Sequence, residues 1–240
     1  MTTRLSEIST EWSILVDPAR FVVRYEGAIR RYLAALIKNQ HDAEEVLQDF
    51  FLKITRLHGF FRVRAERGRF RDYLKSAVRN AALNFLRRKQ PASPIDSALW
   101  LRLTTDKSQP ADQAWLEEWR RCLIERAWQT LERRQSASRG SLAHTVLHLI
   151  VDEPDLDSNA LAARTSALAG RPIRADAFRK QVSRARLLFA RALVEEVAQT
   201  LDNPTPPQVE EELGDLSLWK HVRNHLPADW RSRWLAARGK

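Results

Sequence analysis

Apolar residues in this chain recur at steps of three and four, and that spacing limits the fold more than any other feature. Phe21, Tyr25, Ile29, Leu33, Leu36 and Ile37 fall on one side of a helix predicted over 18–39, which Asp17-Pro18 opens as N-cap and first-turn proline. Ala43, Val46, Leu47, Phe50, Ile54 and Leu57 do the same over 42–57, with Asp42 at the start and Glu45 three residues on as a loose capping arrangement. A third helix is expected within 68–90, with Phe70, Tyr73, Leu74, Ala77, Val78, Ala81 and Phe85 facing inward. No run alternates Val, Ile or Thr with polar residues, and glycine occurs only seven times. The predicted class is all-α.

Charge adds a direction to this fold. The chain has 240 residues and a formal net charge of +10 at pH 7, which favours a polyanionic partner. The excess is concentrated: Phe60 to Gln90 has ten Lys or Arg against two acids, and Arg174 to Arg191 has six against one. From Glu195 to Asp215 there are seven acids and no cation, so a basic module is followed directly by an acidic strip. Hydrophobic content of 44% with 29% charged residues is that of a soluble globular protein. There is neither a run of eighteen apolar residues nor the apolar stretch of a signal peptide, so a cytoplasmic location without membrane insertion is expected. The single cysteine, Cys122, allows no internal disulfide.

Composition also marks the joints. Residues 58–69 carry His58-Gly59, Phe60, Phe61 and a group of arginines, and read as a loop. After Gln90 the stretch "QPASPIDSALWLRLTTDKSQPADQ" has three prolines and many small polar residues, and reads as a flexible linker with an apolar anchor at 99–103. A second helical domain is expected from Ala114. In it a helix over 158–169, capped by Ser158 and stopped by Gly170, is followed by a turn with Pro172 and a long basic helix over 175–200. That is the outline of a helix-turn-helix. A proline-rich break after Asp202 leads into a tail with Trp219, Trp230 and Trp234.

The cations on the third helix are open to two readings. A solvated face usually interleaves both signs, because like charges four apart repel. Arg71, Lys75 and Arg79 form an outward stripe with only Asp72 nearby, which fits a face that meets a phosphate backbone and releases counterions from it. The interleaved aromatics Phe60, Phe61, Phe70 and Tyr73 could stack on unpaired bases, and Phe70 and Tyr73 could equally be core. His144 and His148, like His221 and His225, are four apart, a zinc-compatible spacing. Neither pair has the glutamate of a metalloprotease signature, and packing or surface roles are expected for both, with no metal and no cofactor. No phosphate loop, nucleophile elbow or catalytic acid pair stands out, so the chain does not read as an enzyme. Its helical carboxylates mostly alternate with arginine, as ion pairs in solvent do.

"DAEEVLQDFFLKI" at 42–54, followed by "GRFRDYLKSAVRNAALNFLRRK" at 68–89, resembles region 2 of bacterial RNA polymerase sigma factors of the sigma-70 class. The short form resembles the extracytoplasmic-function type, here with a C-terminal extension. The resemblance implies that the first of these helices docks on the β′ clamp helices through Glu45, Gln48, Asp49 and Leu52, with Val46, Leu47, Phe50 and Ile54 as core. It implies that Arg62, Arg64, Arg67, Arg69, Arg71, Lys75, Arg79, Asn80, Arg87 and Arg88 face the nontemplate strand of a melted −10 element. Tyr73 stands where the family more often has tryptophan. "ALAARTSALAGRPIRADAFRKQVSRARLLFARAL" at 160–193 is similar to the helix-turn-helix of sigma region 4, with a turn about three residues longer than the compact version. Arg174, Arg179, Lys180, Ser183, Arg184 and Arg186 are then the candidates for contacts at a −35 element.

The expected organisation is therefore two small helical domains joined by a flexible linker. A region 2-like bundle occupies 1–90, the linker 91–113, a region 4-like helix-turn-helix 114–200 and an extension 201–240. The expected partners are core RNA polymerase, through the β′ clamp helices and the β flap, and promoter DNA, with an anti-sigma factor or other regulator as a further candidate. A stand-alone helix-turn-helix regulator, working without polymerase, is the alternative. For the tail, the readings are a structural extension packed on the second domain, an acidic cover over a basic face, or a receiver for a signal.

Overall fold

The three- and four-residue spacing becomes, among the described residues of the computed structural model, ten α-helices and a 3₁₀ turn with no strand. Those residues are 18–56, 69–89, 109–138, 140–201 and 203–238. The fold is all-α. The chain divides into two compact units, one of residues 1–122 with 199–203, the other of 123–198 with 204–240. No helix among the described residues is long and apolar enough to cross a membrane.

The first unit is built from α1 (Pro18–Leu36), α2 (Gln40–Arg56), α3 (Phe70–Lys89) and the beginning of α4 (Gln109–Ala137). Phe21, Ile29 and Leu33 of α1, Val46, Leu47, Phe50 and Ile54 of α2, and Leu74, Val78 and Phe85 of α3 form its core. The N-cap of α2 is Asn39, not Asp42: its Oδ1 accepts from the backbone N–H groups of His41 at 2.9 Å and Asp42 at 3.2 Å. The helix starts two residues earlier than expected, so Asp42 already lies in the first turn, where it is buried and takes the Lys89 ammonium.

The first half of α4 also belongs to this unit. Ala111, Trp115 and Trp119 are buried, with Trp119 stacked on Tyr25 at 5.2 Å between ring centroids and Trp115 edge-on to Tyr32 at 5.5 Å. The sequence reading ended the first domain at residue 90 and began the second at 114. The structure keeps residues up to Cys122 with the first unit. The buried apolar positions of α4 are Ala111, Trp115, Trp119, Leu123, Ala127 and Leu131, each four after the last. A strict step of four drifts round a 3.6-residue helix, so the sequence shows no fixed apolar face to read. The rest of the expected linker, 91–108, lies outside the described residues.

The second unit holds the remainder of α4, then α5 (Ala143–Asp152), α6 (Ser158–Ala169), α7 (Ala175–Ala198), α8 (Pro206–Asp215), α9 (Trp219–Val222) and α10 (Trp230–Arg238). Leu131, Val146, Leu161, Phe178, Val182 and Ala185 make a core between α4, α5, α6 and the first half of α7. From Ala190 to Ala198 α7 is buried almost all round, because α8 and the 3₁₀ turn Arg223–His225 pack on its second half. A Thr205/Gln208 capping box starts α8, with the Thr205 backbone N–H donating to Gln208 Oε1 at 2.9 Å. Gln135 serves α5 in the same way from a distance: its Oε1 accepts the Thr145 N–H at 3.0 Å.

Candidate nucleic-acid interface

Helix α3 presents different residues than its sequence suggests. Its buried side runs Phe70, Arg71, Leu74, Val78, Ala82 and Phe85, and this takes Arg71 out of the expected outward stripe. Arg71 is 5% exposed, with its Nε 3.6 Å from Asp72. Lys75 and Arg79 are turned toward α4, where Asp112 lies 3.5 Å from Lys75 Nζ and 3.6 Å from Arg79 Nη2. Arg79 Nε also donates to Tyr32 Oη at 3.1 Å. Burial pushes the Tyr32 phenol up, and the Arg79 guanidinium pulls it the other way. The three cations therefore do not form a common outward face. A like-charged stripe is costly in solvent, and α4 supplies Asp112 to offset two of its members.

The exposed side of α3 is instead Ser76, Asn80, Asn84 and Arg87, flanked by a half-buried Tyr73 and an exposed Arg88. Steps of four, four and three place Ser76, Asn80, Asn84 and Arg87 along one line. Asn80, Arg87 and Arg88 were expected here; Ser76 and Asn84 were missed, although the i, i+4 relation to Asn80 was available as a signal. Arg69 is half-buried, and its carbonyl oxygen accepts the N–H groups of Asp72 at 3.0 Å and Tyr73 at 3.1 Å to start the helix. Arg62, Arg64 and Arg67, with Phe60 and Phe61, lie outside the described residues.

On α2, Glu45, Gln48 and Leu52 are exposed and Asp49 is half-buried, so these four line the outward side while Val46, Leu47, Phe50 and Ile54 face in. Leu52 is 50% exposed. Arg88 reaches across from α3 and donates to Asp49 Oδ2 at 3.2 Å. Glu45, Asp49, Phe85, Arg88 and Lys89 together line a cavity of about 370 Å³ between the two helices.

Residues 21–91 match the family model of Sigma-70 region 2. The match takes in most of α1 and all of α2 and α3, and it stops before α4. No curated protein and no solved structure was found to match the chain. The outward side of α2 and the polar line on α3 both fall within the matched residues.

In the second unit a helix-turn-helix is assembled from α6, its turn and α7. Asp157, not Ser158, caps α6: its Oδ1 accepts from Asn159 N at 2.9 Å and Ala160 N at 2.8 Å. Gly170 ends α6 in the left-handed region at φ 63°, and the Arg171 N–H returns to Ser166 O at 3.3 Å. Ser166 Oγ accepts the Ile173 N–H at 2.8 Å, which fixes the longer turn. Arg174, Arg179, Lys180, Ser183, Arg184 and Arg186 are all exposed along the turn and the first half of α7. Phe178, Val182 and Ala185 on the other side of the helix are buried. The acidic α8 packs on the second half of α7 and leaves these cations uncovered.

His144 and His148 pack as a ring pair, centroids 4.3 Å apart, with His148 4.5 Å from Trp128. Burial first, and the neighbouring His148 second, lower the His144 pKa from its usual value. Among the described residues no group of three or more His, Cys, Asp or Glu is placed to hold a metal ion.

Proposed function

We propose that the chain is an RNA polymerase sigma factor of the short, extracytoplasmic-function kind, a placement factor and not an enzyme. The observation that carries this reading is the sigma-70 region 2 match over α1–α3, followed in the same chain by a helix-turn-helix whose exposed side is cationic. The outward side of α2, Glu45, Gln48, Asp49 and Leu52, docks on the β′ clamp helices. An exposed leucine within a polar line suits such a contact, because it desolvates on binding.

The −10 role falls to Ser76, Asn80, Asn84, Arg87 and Arg88, with Tyr73 beside them. Neutral amides can read base edges, asparagine pairing with adenine in two hydrogen bonds, and the arginines at the C-terminal end of α3 follow the backbone. Lys75 and Arg79 support the helix from behind, and Arg71 is packed. The −35 role belongs to Arg179, Lys180, Ser183, Arg184 and Arg186 in the major groove, with Arg174 at the backbone. The unit that carries them also meets the β flap.

The test is run-off transcription with purified core polymerase on promoter fragments. The full chain is expected to bind core and to direct specific starts. Loss of core binding on Asp49→Arg, with DNA binding by the second unit retained, separates this reading from a regulator that works without polymerase. A protein that footprints DNA alone and neither binds core nor directs starts overturns it.

A further inference from the structure

Helix α10 has nine residues and none of them is buried. Helices of that length are marginal in water without tertiary packing, so something must hold it. Polar ties supply part of this. Arg231 makes a two-point contact with Glu210, at 2.6 and 2.8 Å, and Trp234 Nε1 donates to Glu195 at 3.1 Å. Trp230 lies 6.2 Å from Trp219 between ring centroids, the Arg238 guanidinium sits 4.6 Å over the Trp234 ring, and Trp230 and Trp234 both stay half-buried.

A cavity of about 420 Å³ opens beside these two tryptophans, between α10, the second half of α7 and the end of α4. This volume lies within the range of small-molecule sites, about 300–1,000 Å³. Trp230 and Trp234 offer it flat apolar surface, and Arg134, Arg191 and Arg233 bring three guanidinium groups. The one carboxylate on its wall, Glu195, already accepts from Trp234 and lies 3.6 Å from Arg238. Arg233 pairs with Asp229 at 2.7 Å, whereas Arg134 and Arg191 are exposed and make no ion pair among the described residues. Indole faces stack on flat rings, and guanidinium groups form paired hydrogen bonds with carboxylates.

We propose that this cavity binds a planar aromatic carboxylate. The ring system lies against Trp230 and Trp234, and the carboxylate takes the charge of Arg191 and Arg134. The ligand buries the apolar side of α10 and ties that helix to α7. A neutral ring gains only the stacking, and an aliphatic acid only the charge, so each binds more weakly. The site is independent of the polymerase reading, since binding is read on the protein alone.

Titration calorimetry of the full chain with 2-naphthoate, and with its neutral counterpart 2-naphthamide, tests this. One naphthoate is expected to bind per chain, about tenfold or more tighter than the amide. Arg191→Gln, at an exposed position that leaves the fold intact, is expected to weaken naphthoate about tenfold without changing the amide. Trp230→Ala is expected to weaken both, with circular dichroism unchanged, and amide hydrogen exchange across 230–238 is expected to slow when naphthoate binds. Failure of naphthoate to bind at about 1 mM overturns the proposal, as does equal binding of acid and amide, or unaltered naphthoate affinity in Arg191→Gln.

Discussion

Tyr25 of α1 and Trp119 of α4 are stacked, their ring centroids 5.2 Å apart and their planes 13° from parallel. Trp119 also lies 5.5 Å from Trp115 and 6.3 Å from Phe70. The family match ends at residue 91, so both tryptophans lie beyond it, yet they are 1% and 2% exposed in the core that α1 and α3 build. In this chain the core of the three matched helices is completed by a fourth helix. A fragment cut at residue 91 leaves Tyr25, Tyr32 and Phe70 without those partners.

Trp119→Ala is expected to destabilise the first unit by about 3–5 kcal/mol, the range for removing a buried tryptophan. Trp115→Phe is expected to cost much less, because Trp115 Nε1 makes no hydrogen bond among the described residues. Urea unfolding of the two variants checks this. Equal losses would mean that the indole ring is not packed as described.

Asp112 stands between two cations whose side chains are 24% and 15% exposed, and is itself 23% exposed. Breaking a fully buried pair costs about 3–5 kcal/mol and an exposed one about 0–1, so Asp112→Ala is expected to cost about 1–3. Most of that is the penalty of leaving Lys75 and Arg79 facing each other. Adding Lys75→Met should therefore restore part of the loss, and added salt should shrink it. A double-mutant cycle at low and high salt measures both effects.

The second unit should respond to pH through His144. Its folded pKa is lowered from 6.5 by burial and by His148, so the unfolded chain takes up a proton that the folded chain resists. Stability is then fully present above 6.5 and falls as pH drops through 6.5 toward the lower folded value. His144→Gln should flatten this slope. Urea midpoints at pH 7.5 and pH 5.5 for both proteins give the comparison; an unchanged slope in the variant removes His144 as its cause.

What the sequence made readable depended on the regularity of each pattern. The apolar stripes of α1 and α2 keep a steady face, and so do Phe178, Val182 and Ala185 on α7; those elements and their outward residues were legible. On α3 the inward face was read through Tyr73, Ala77 and Ala81, whereas the structure buries Arg71 and Ala82. A rotation of one position was enough to turn Lys75 and Arg79 toward a neighbour. That neighbour could not be foreseen, because α4 carries its buried residues at steps of four and begins within a proline-containing stretch that resembles a linker. Asp42 failed as a cap for a simpler reason: Asn39, three residues earlier, offers the same chemistry at the true N-cap.

The same rotation decides which α3 residue should matter for strand capture. Asn80 is exposed and its side chain makes no hydrogen bond among the described residues, while Arg79 holds Tyr32 and Asp112. On the sigma factor reading, Asn80→Ala should lower open-complex formation about tenfold, about 1.4 kcal/mol and within the range for one two-point base contact, and should leave thermal stability and core binding as they were. Arg79→Ala should lower thermal stability first, and open-complex formation only as far as the folded fraction falls. Permanganate reactivity of the melted strand, read beside a thermal melt of each variant, distinguishes the two. If Arg79→Ala abolishes melting at full stability while Asn80→Ala does nothing, then the strand lies on the Asp112 side of α3, and α4 must move aside to admit it.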